Sequence, residues 1–468
     1  MKKTYGVCVG MLAMGLAVLG APVSKAAGEP GSAAETTAPV AASSSSSTAA
    51  PSAAELRERI DALKSELAGL NAALADTPSD DQGPATPAAT PAAAPAAAAA
   101  APMPLSSPSM TAPLSTAIPH EFSAGPFGKL EVTGIISGLG WTEGDYTPGV
   151  DTPTHYDLSN AQIFVQKTSG WWQFYLQGGA YNLPAIGVPF LRTIDTMNLY
   201  GPFATGYLKL VKGNFNVEVG ELPTLIGAEY TFSFENMNIE RGLLWGQEPA
   251  ISRGIQLNDT YKKLTLAFSY NDGFFSNRYT TLSGSLAYAF NAANTLSFVG
   301  SGNAGTPYIR KVSGFSPTPF YQNNSEVYNL IYTYSKGNWM VTPYYQYTYV
   351  PSSTILGQGA HTNSGALLAN YNFKHGISLA GRFEYIKSSG SLTNGDANLL
   401  GYGSGSSAYS FTVTPTYSKD GFFVRGDFSL VHVMNFTPST TESFGGAFGS
   451  TGTSANQPRG VIEAGFLF

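Results

Sequence analysis

Between Pro223 and Ile251 the sequence concentrates ionisable side chains that it uses sparingly elsewhere: Glu229, Glu235, Glu240, Arg241 and Glu248, with Arg253 just beyond. Only 12% of the chain is charged, so carboxylates and guanidiniums gathered in one connection mark a candidate site. They could do two kinds of chemistry. They could assist hydrolysis, or they could set a fixed field across a narrow passage and act on ions moving through it. Hydrolysis needs a nucleophile beside a base. The histidines give no such arrangement: His120 stands in a Pro-rich stretch, His155 and His361 near long connections and His375 in a tight turn. His432 shares an apolar face with Leu430 and Met434. No metal-ligand spacing or phosphate-binding glycine loop stands out. Neither an enzyme nor a cofactor is expected.

A field needs walls, and the flanking sequence supplies them. From residue 127 to 468 it is rich in Tyr, Phe, Gly, Asn, Ser and Thr and alternates at period two, the signature of strands half-exposed on each face. In one segment Leu264, Leu266, Phe268 and Tyr270 oppose Thr265, Ala267 and Ser269. In another, Trp172, Phe174 and Leu176 oppose Gln173, Tyr175 and Gln177. Charges sit in mid-strand on the small or polar row: Lys209, Glu218, Arg382, Glu384, Arg425, Asp427 and Glu463. A dry protein core could not hold so many without matched partners, whereas a water-filled lumen can.

About sixteen such segments follow one another, joined by connections that alternate short and long. The short ones include Lys212-Gly213-Asn214, Lys336-Gly337-Asn338, Lys374-His375-Gly376 and Lys419-Asp420-Gly421. The long ones include residues 183–202, 223–251 and 436–457. This rhythm predicts an all-β fold, a transmembrane antiparallel up-and-down β-barrel with tight turns at one rim and long loops at the other. An open edge in hydrocarbon would leave backbone groups unpaired at a cost of several kcal/mol each, so closure is required. The apolar row then faces outer-membrane lipid. Tyr345, Tyr347, Tyr349 and Trp339 share that face, as interfacial girdles require.

The last strand, Val461 to Phe468, directs Ile462, Ala464, Phe466 and Phe468 to lipid and Glu463 to the lumen. Its terminal aromatics, Phe466 and Phe468, resemble the signal by which outer-membrane assembly machinery recognises its clients, which makes that machinery an expected partner. A net charge of −6 carries no basic field for nucleic acid, so none is expected as a partner.

The N-terminus has different physics. Residues 1–26 read as a secretory signal, with Lys2 and Lys3 before an apolar run and Ser24-Lys25-Ala26 before the cleavage point; an uncleaved anchor is the alternative. Cys8, the only cysteine, would leave with it. Residues 27–54, rich in Ala, Ser and Thr, bury too little to order. In 55–76, Leu56, Ile60, Leu63, Leu67, Leu70 and Leu74 recur at 4-3-4-3-4 spacing, a short coiled-coil seam. Self-association is the natural way to bury it, with docking elsewhere as the alternative. Residues 77–126 form an Ala/Pro-rich, disordered linker. With an even strand count and periplasmic tight turns, the coiled coil and linker are expected in the periplasm.

The stretch Glu229 to Asn258 resembles the β-barrel porin-2 (OmpL-like) family. The resemblance is carried by Glu235-Asn236, Arg241, Leu243-Leu244-Trp245-Gly246, Pro249 and Gly254-Ile255. Ser252-Arg253 stand where the family often has His-Thr. It implies an outer-membrane porin, a channel for passive diffusion of small hydrophilic solutes or ions, and makes a trimer the first expectation for a homo-oligomer. By strand count, the 223–251 connection joins the fifth and sixth strands, where sixteen-strand porins fold a loop inward. The expectation is a constriction with Glu229, Glu235, Glu240, Arg241, Glu248 and Arg253 facing wall arginines such as Arg382 and Arg425. A weak cation preference follows. The competing readings are a loop lying over the rim, and a non-conducting barrel that serves as an outer-membrane anchor or tether through its coiled coil.

Overall fold

The computed structural model describes residue 114 and residues 119–146, 151–304, 322–352, 358–394, 396–437 and 446–468. The signal peptide, the Ala/Ser/Thr-rich segment, the coiled-coil seam and the linker up to residue 118, Leu114 excepted, lie outside these described residues.

Alternation becomes strand throughout. In chain order come β1 (His120–Ser123), β2 (Lys129–Glu143), β3 (Thr154–Lys167), β4 (Trp172–Tyr181) and a helix, α1 (Thr193–Tyr200). Next are β5 (Phe203–Lys212), β6 (Phe215–Pro223), β7 (Ile251–Tyr261), β8 (Leu264–Asn271), β9 (Thr281–Asn291) and β10 (Asn294–Asn303). The chain continues with β11 (Glu326–Lys336), β12 (Trp339–Val350), β13 (Ala360–Asn372) and β14 (Ile377–Ser388). It ends with β15 (Ser407–Lys419), β16 (Phe422–Met434) and β17 (Asn456–Leu467). Each strand from β2 to β17 pairs antiparallel with its chain neighbours, and β17 pairs with β2, so these sixteen close into a barrel. Tight turns take left-handed backbone where two-residue hairpins need it: Asp420-Gly421 has φ of 52° and 83°, and His375-Gly376 has 64° and 78°.

The barrel is apolar outside. Leu266, Phe268 and Phe466 are 39%, 49% and 53% exposed, while their inward neighbours Ala267, Ser269 and Glu463 are buried. Trp339 and Tyr345 point outward as well. The inward face differs from the expectation of small and polar residues facing water. Val299, Val327, Ile331, Leu368, Ile386 and Val431 also point inward, and they pack against residues of two connections that enter the lumen. Alternation alone cannot separate a row that meets water from one that meets a buried loop.

Two local elements were hidden in stretches read as linker and loop. Within 77–126, β1 pairs with Lys129–Val132 of β2. β17 ends just past this point, where Phe468 exchanges hydrogen bonds with Gly134 at 2.6 and 2.9 Å, so β1 covers the edge that β17 leaves. Within 183–202, α1 begins where Asp157 of β3 accepts the Thr193 N–H at 2.7 Å, a cap supplied from another strand.

The closing seam rests on a close approach. A Cβ at Gly134 would lie 2.5 Å from the Phe468 ring, whereas one at Gly138 meets only a carbonyl at 3.5 Å. Gly134→Leu is expected to displace Phe468 and to cost about 1–3 kcal/mol, read as a lower urea midpoint and a smaller heat-modifiable fraction on gels. Gly138→Leu, on the same strand, should leave both nearly unchanged.

Candidate functional site

The connection between β6 and β7 folds into the barrel. Nearly all of residues 224–250 are buried, with single 3-10 turns at Ser233–Glu235 and Trp245–Gln247. A segment this irregular leaves most of its backbone N–H groups without ladder partners, and burial makes each one costly to leave unpaired. Carboxylates supply them. Glu384 of β14 accepts from Leu243 N–H at 2.9 Å and Leu244 N–H at 3.0 Å. Asp427 of β16 accepts from Ile239 and Glu240, both at 2.8 Å. Within the loop, Glu229 accepts from Gly242 at 2.8 Å. Glycine is required at 242, since a Cβ there would lie 2.2 Å from Glu384 Oε1. On the opposite wall Asn329 accepts from Gly227 N–H at 3.1 Å.

Ion pairs overlay this latch. Arg382 of β14 donates to Glu229 at 2.6 Å and to the Glu240 carbonyl at 2.7 Å, and its Nε lies 3.3 Å from Glu384. Arg425 of β16 grips one oxygen of Glu463 on β17 with two N–H groups, at 2.9 and 2.7 Å, and donates a third to the Asn236 carbonyl at 2.9 Å. The other Glu463 oxygen accepts from Ser233 of the loop at 2.9 Å. Arg459 of β17 bridges Glu143 at 2.5 Å and Glu240 at 3.1 Å, with its guanidinium over the Trp141 ring.

The residues expected at a constriction therefore divide. Glu229 and Glu240 meet arginines, Arg382 and Arg459 respectively. Glu235 caps a turn, accepting from Phe232 N–H at 3.2 Å, and burial pushes its carboxyl up to about 7. Arg241 and Glu248 are buried; the guanidinium nitrogens of Arg241 meet no protein acceptor, and the Glu248 carboxyl lies beside the Tyr344 hydroxyl. Arg241 lies 5.5 Å from the Trp245 ring, and burial lowers its pKa to about 10 despite the nearby Glu229. Burial also pushes the Glu248 carboxyl well above its usual range. Arg253 stands apart, paired with Asp272 at 2.8 Å. On the wall, Arg425 takes Glu463 rather than a loop carboxylate, and Lys209 and Glu218 pair with each other at 2.9 Å, away from the loop.

Sequence reasoning missed Arg459, although it shares the inward parity of Val461 and Glu463. It also missed a second inward segment in the β4–β5 connection. There Ile186 N–H donates to the Arg241 carbonyl at 3.0 Å and Arg241 N–H to the Pro184 carbonyl at 2.9 Å, a short parallel bridge between two loops. Nothing in residues 183–188 announces it. At the tight-turn mouth a cavity of about 270 Å³ opens between the loop and the wall, lined by Asn236, Asn370, Asn372, Thr416 and Arg425.

The latch can be tested with a reporter cysteine. Met237→Cys places a thiol in the buried loop, and Cys8 is the only cysteine of the full sequence. Adding Glu384→Ala leaves two buried N–H groups unpartnered, a cost of about 2 kcal/mol. Maleimide labelling at position 237 is expected to accelerate at least about tenfold over the single variant, with the β-sheet circular dichroism unchanged.

The sequence profile of the putative β-barrel porin-2, OmpL-like family matches residues 130–468, the barrel from the start of β2 to the last residue. No curated protein matches the chain. Among solved structures, the anion-selective porin from Comamonas acidovorans is 13% identical, with 72% of this chain and 99% of that chain covered and a TM-score of 0.47. In-vitro folded OmpT, an outer membrane protein of Vibrio cholerae, is 10% identical over 74% and 98%, with a TM-score of 0.48. The profile spans every strand that closes the barrel and the loop that fills it, and the chain belongs to the putative β-barrel porin-2, OmpL-like family.

Proposed function

We propose that this outer-membrane barrel conducts small hydrophilic solutes or ions along a path narrowed by the inward β6–β7 loop, with a weak preference for cations. The observation that carries the reading is the charge set around the inward loop. Glu143, Glu229, Glu235, Glu240, Glu384, Asp427 and Glu463 outnumber Arg241, Arg382, Arg425 and Arg459. Excess carboxylate favours cations in a low-dielectric passage. Glu235 and Glu240 are the residues on which selectivity is expected to depend most. If the tight turns are periplasmic, the N-terminal coiled coil is expected in the periplasm, where its seam would support a homo-oligomer, with a trimer as the working stoichiometry.

The burial of residues 224–250 favours a second reading: a closed barrel that anchors a periplasmic coiled coil. The two readings separate in a planar bilayer. Folded full-length protein and a variant lacking residues 27–119, which spares β1, should both give discrete ion-permeable steps; their absence from folded protein selects the anchor.

If steps appear, a potassium chloride gradient should give a reversal potential displaced toward cation permeation. Glu235→Gln with Glu240→Gln is expected to move it toward zero by a measurable fraction. An unchanged reversal potential removes these two residues from the selectivity mechanism.

A further inference from the structure

The tight-turn rim carries a second pattern, unrelated to the lumen. Outward rings circle the barrel at this end: Phe215, Tyr261, Phe290, Trp339, Phe373 and Phe466 are between 42% and 64% exposed. Amphipathic and aromatic side chains concentrate where hydrocarbon gives way to headgroups. Just beyond this belt the turns carry exposed lysines: Lys212, Lys262 with Lys263, Lys336, Lys374 and Lys419. Exposed Lys129 stands beside the β17–β2 seam. The Lys262 ammonium lies 5.1 Å from the Tyr261 ring, and Lys263 donates to the Phe290 carbonyl at 2.7 Å, so lysine and belt are in contact.

The exposed acids at this rim are fewer. Glu121 pairs with Lys129 at 2.5 Å, Asp420 lies 3.8 Å from Lys419, and Asp259 is exposed on β7. Positive charge is therefore in excess. At the opposite rim Lys387 is the single lysine among the described residues. The charge is asymmetric along the barrel axis, as a surface facing one particular leaflet would be.

We propose that the tight-turn rim is a collar for anionic phospholipid headgroups, the aromatic belt setting the depth and the lysines each taking a lipid phosphate. Lysine stems extend along apolar surface while the ammonium reaches the polar layer. A zwitterionic headgroup offers a phosphate already balanced by its own cation, whereas an anionic one leaves net charge for the lysine. The proposal needs the barrel to lie in a bilayer and does not need it to conduct, so a silent barrel leaves it standing.

The belt supplies its own probe. Trp171 and Trp339 are 72% and 52% exposed at this rim and Trp172 follows Trp171, whereas Trp141 and Trp245 are buried inside. Folded full-length protein in phosphatidylcholine vesicles is titrated with brominated phosphatidylglycerol or brominated phosphatidylcholine, and tryptophan quenching gives their relative association. A preference of about fivefold for the anionic lipid is expected at low salt, falling toward one above about 0.5 M salt as screening takes over. Lys336→Gln, beside Trp339, should reduce the preference, and Lys212, Lys262, Lys336 and Lys374 all changed to Gln should reduce it further. A ratio of one in the unaltered protein at low salt overturns the proposal without any variant, and so does an unchanged ratio in the fourfold variant. A ratio of one together with lysine-dependent sedimentation on purified peptidoglycan assigns the collar to cell-wall carboxylates instead and likewise overturns it.

Discussion

Every feature of this molecule follows from the need to leave no backbone N–H or C=O unpaired in hydrocarbon. In water a strand edge is a liability; within a bilayer each unpaired group costs several kcal/mol and cannot be tolerated along a whole edge. Sixteen antiparallel strands meet that need only if β17 finds β2, and the chain secures the meeting twice. Gly134 leaves room for the Phe468 ring against the seam, and β1 pairs with the part of β2 that β17 does not reach. Once closure is imposed, inside and outside are fixed together. Leucine and phenylalanine can face out because the outer solvent is lipid, and carboxylates and arginines must face in.

The inward groups then do something that fixed charges in an open conduit need not do. Glu384 and Asp427 each receive two backbone N–H groups from the loop, a geometry in which an ionised acceptor is worth about twice a neutral one. Arg382 and Arg425 each grip a carboxylate and a loop carbonyl. Buried pairs of this kind contribute little net stability over a hydrophobic equivalent, yet removing one partner is expensive. Any field these charges set is thus carried by the same side chains that fasten the loop. Neutralising a wall charge would therefore disturb the loop's fastening as well as the local potential.

The barrel was legible because period-two alternation and the short–long rhythm of connections are local signals repeated many times. Leu266, Phe268 and Phe466 had only to be read in register. The interior was less legible, for a physical reason. Val327, Ile331 and Val431 occupy inward positions that in an open pore would meet water, and only a loop from elsewhere in the chain makes them comfortable. Such a loop has no period, and its contacts span large sequence separations, as between Glu229 and Arg382 or Glu240 and Arg459. The pairing of Glu229 with Arg382 was foreseeable from charge and topology. The bridge between Ala185 and Arg241 was not, because it uses backbone groups alone. Arg459 shares the inward register of Val461 and Glu463, but it stands near the long-loop end of β17, beyond the run of mid-strand charges.

The loop is fastened unevenly, and that asymmetry gives the interior its character. Toward β14, β16 and β17 charge-assisted hydrogen bonds, directional and intolerant of displacement, are added to apolar packing on Ile386 and Val431. Toward β8, β10 and β11 the contacts are chiefly apolar, Leu225, Ile226 and Ala228 belonging to one cluster with Ala267, Val299, Val327 and Ile331, with a single amide from Asn329. Dispersion and apolar burial decline gradually and have no preferred direction, so a small shift on that side costs less than an equal shift on the other. The loop also buries Arg241, whose guanidinium nitrogens meet no protein acceptor, and Glu248, whose carboxyl lies beside the Tyr344 hydroxyl. The buried guanidinium has its charge offset only by nearby carboxylates such as Glu229 and by the ring of Trp245. Burial of such groups carries a desolvation penalty that neighbouring charges and rings offset only in part, so this part of the loop is held by long-range attraction and not by directed hydrogen bonds.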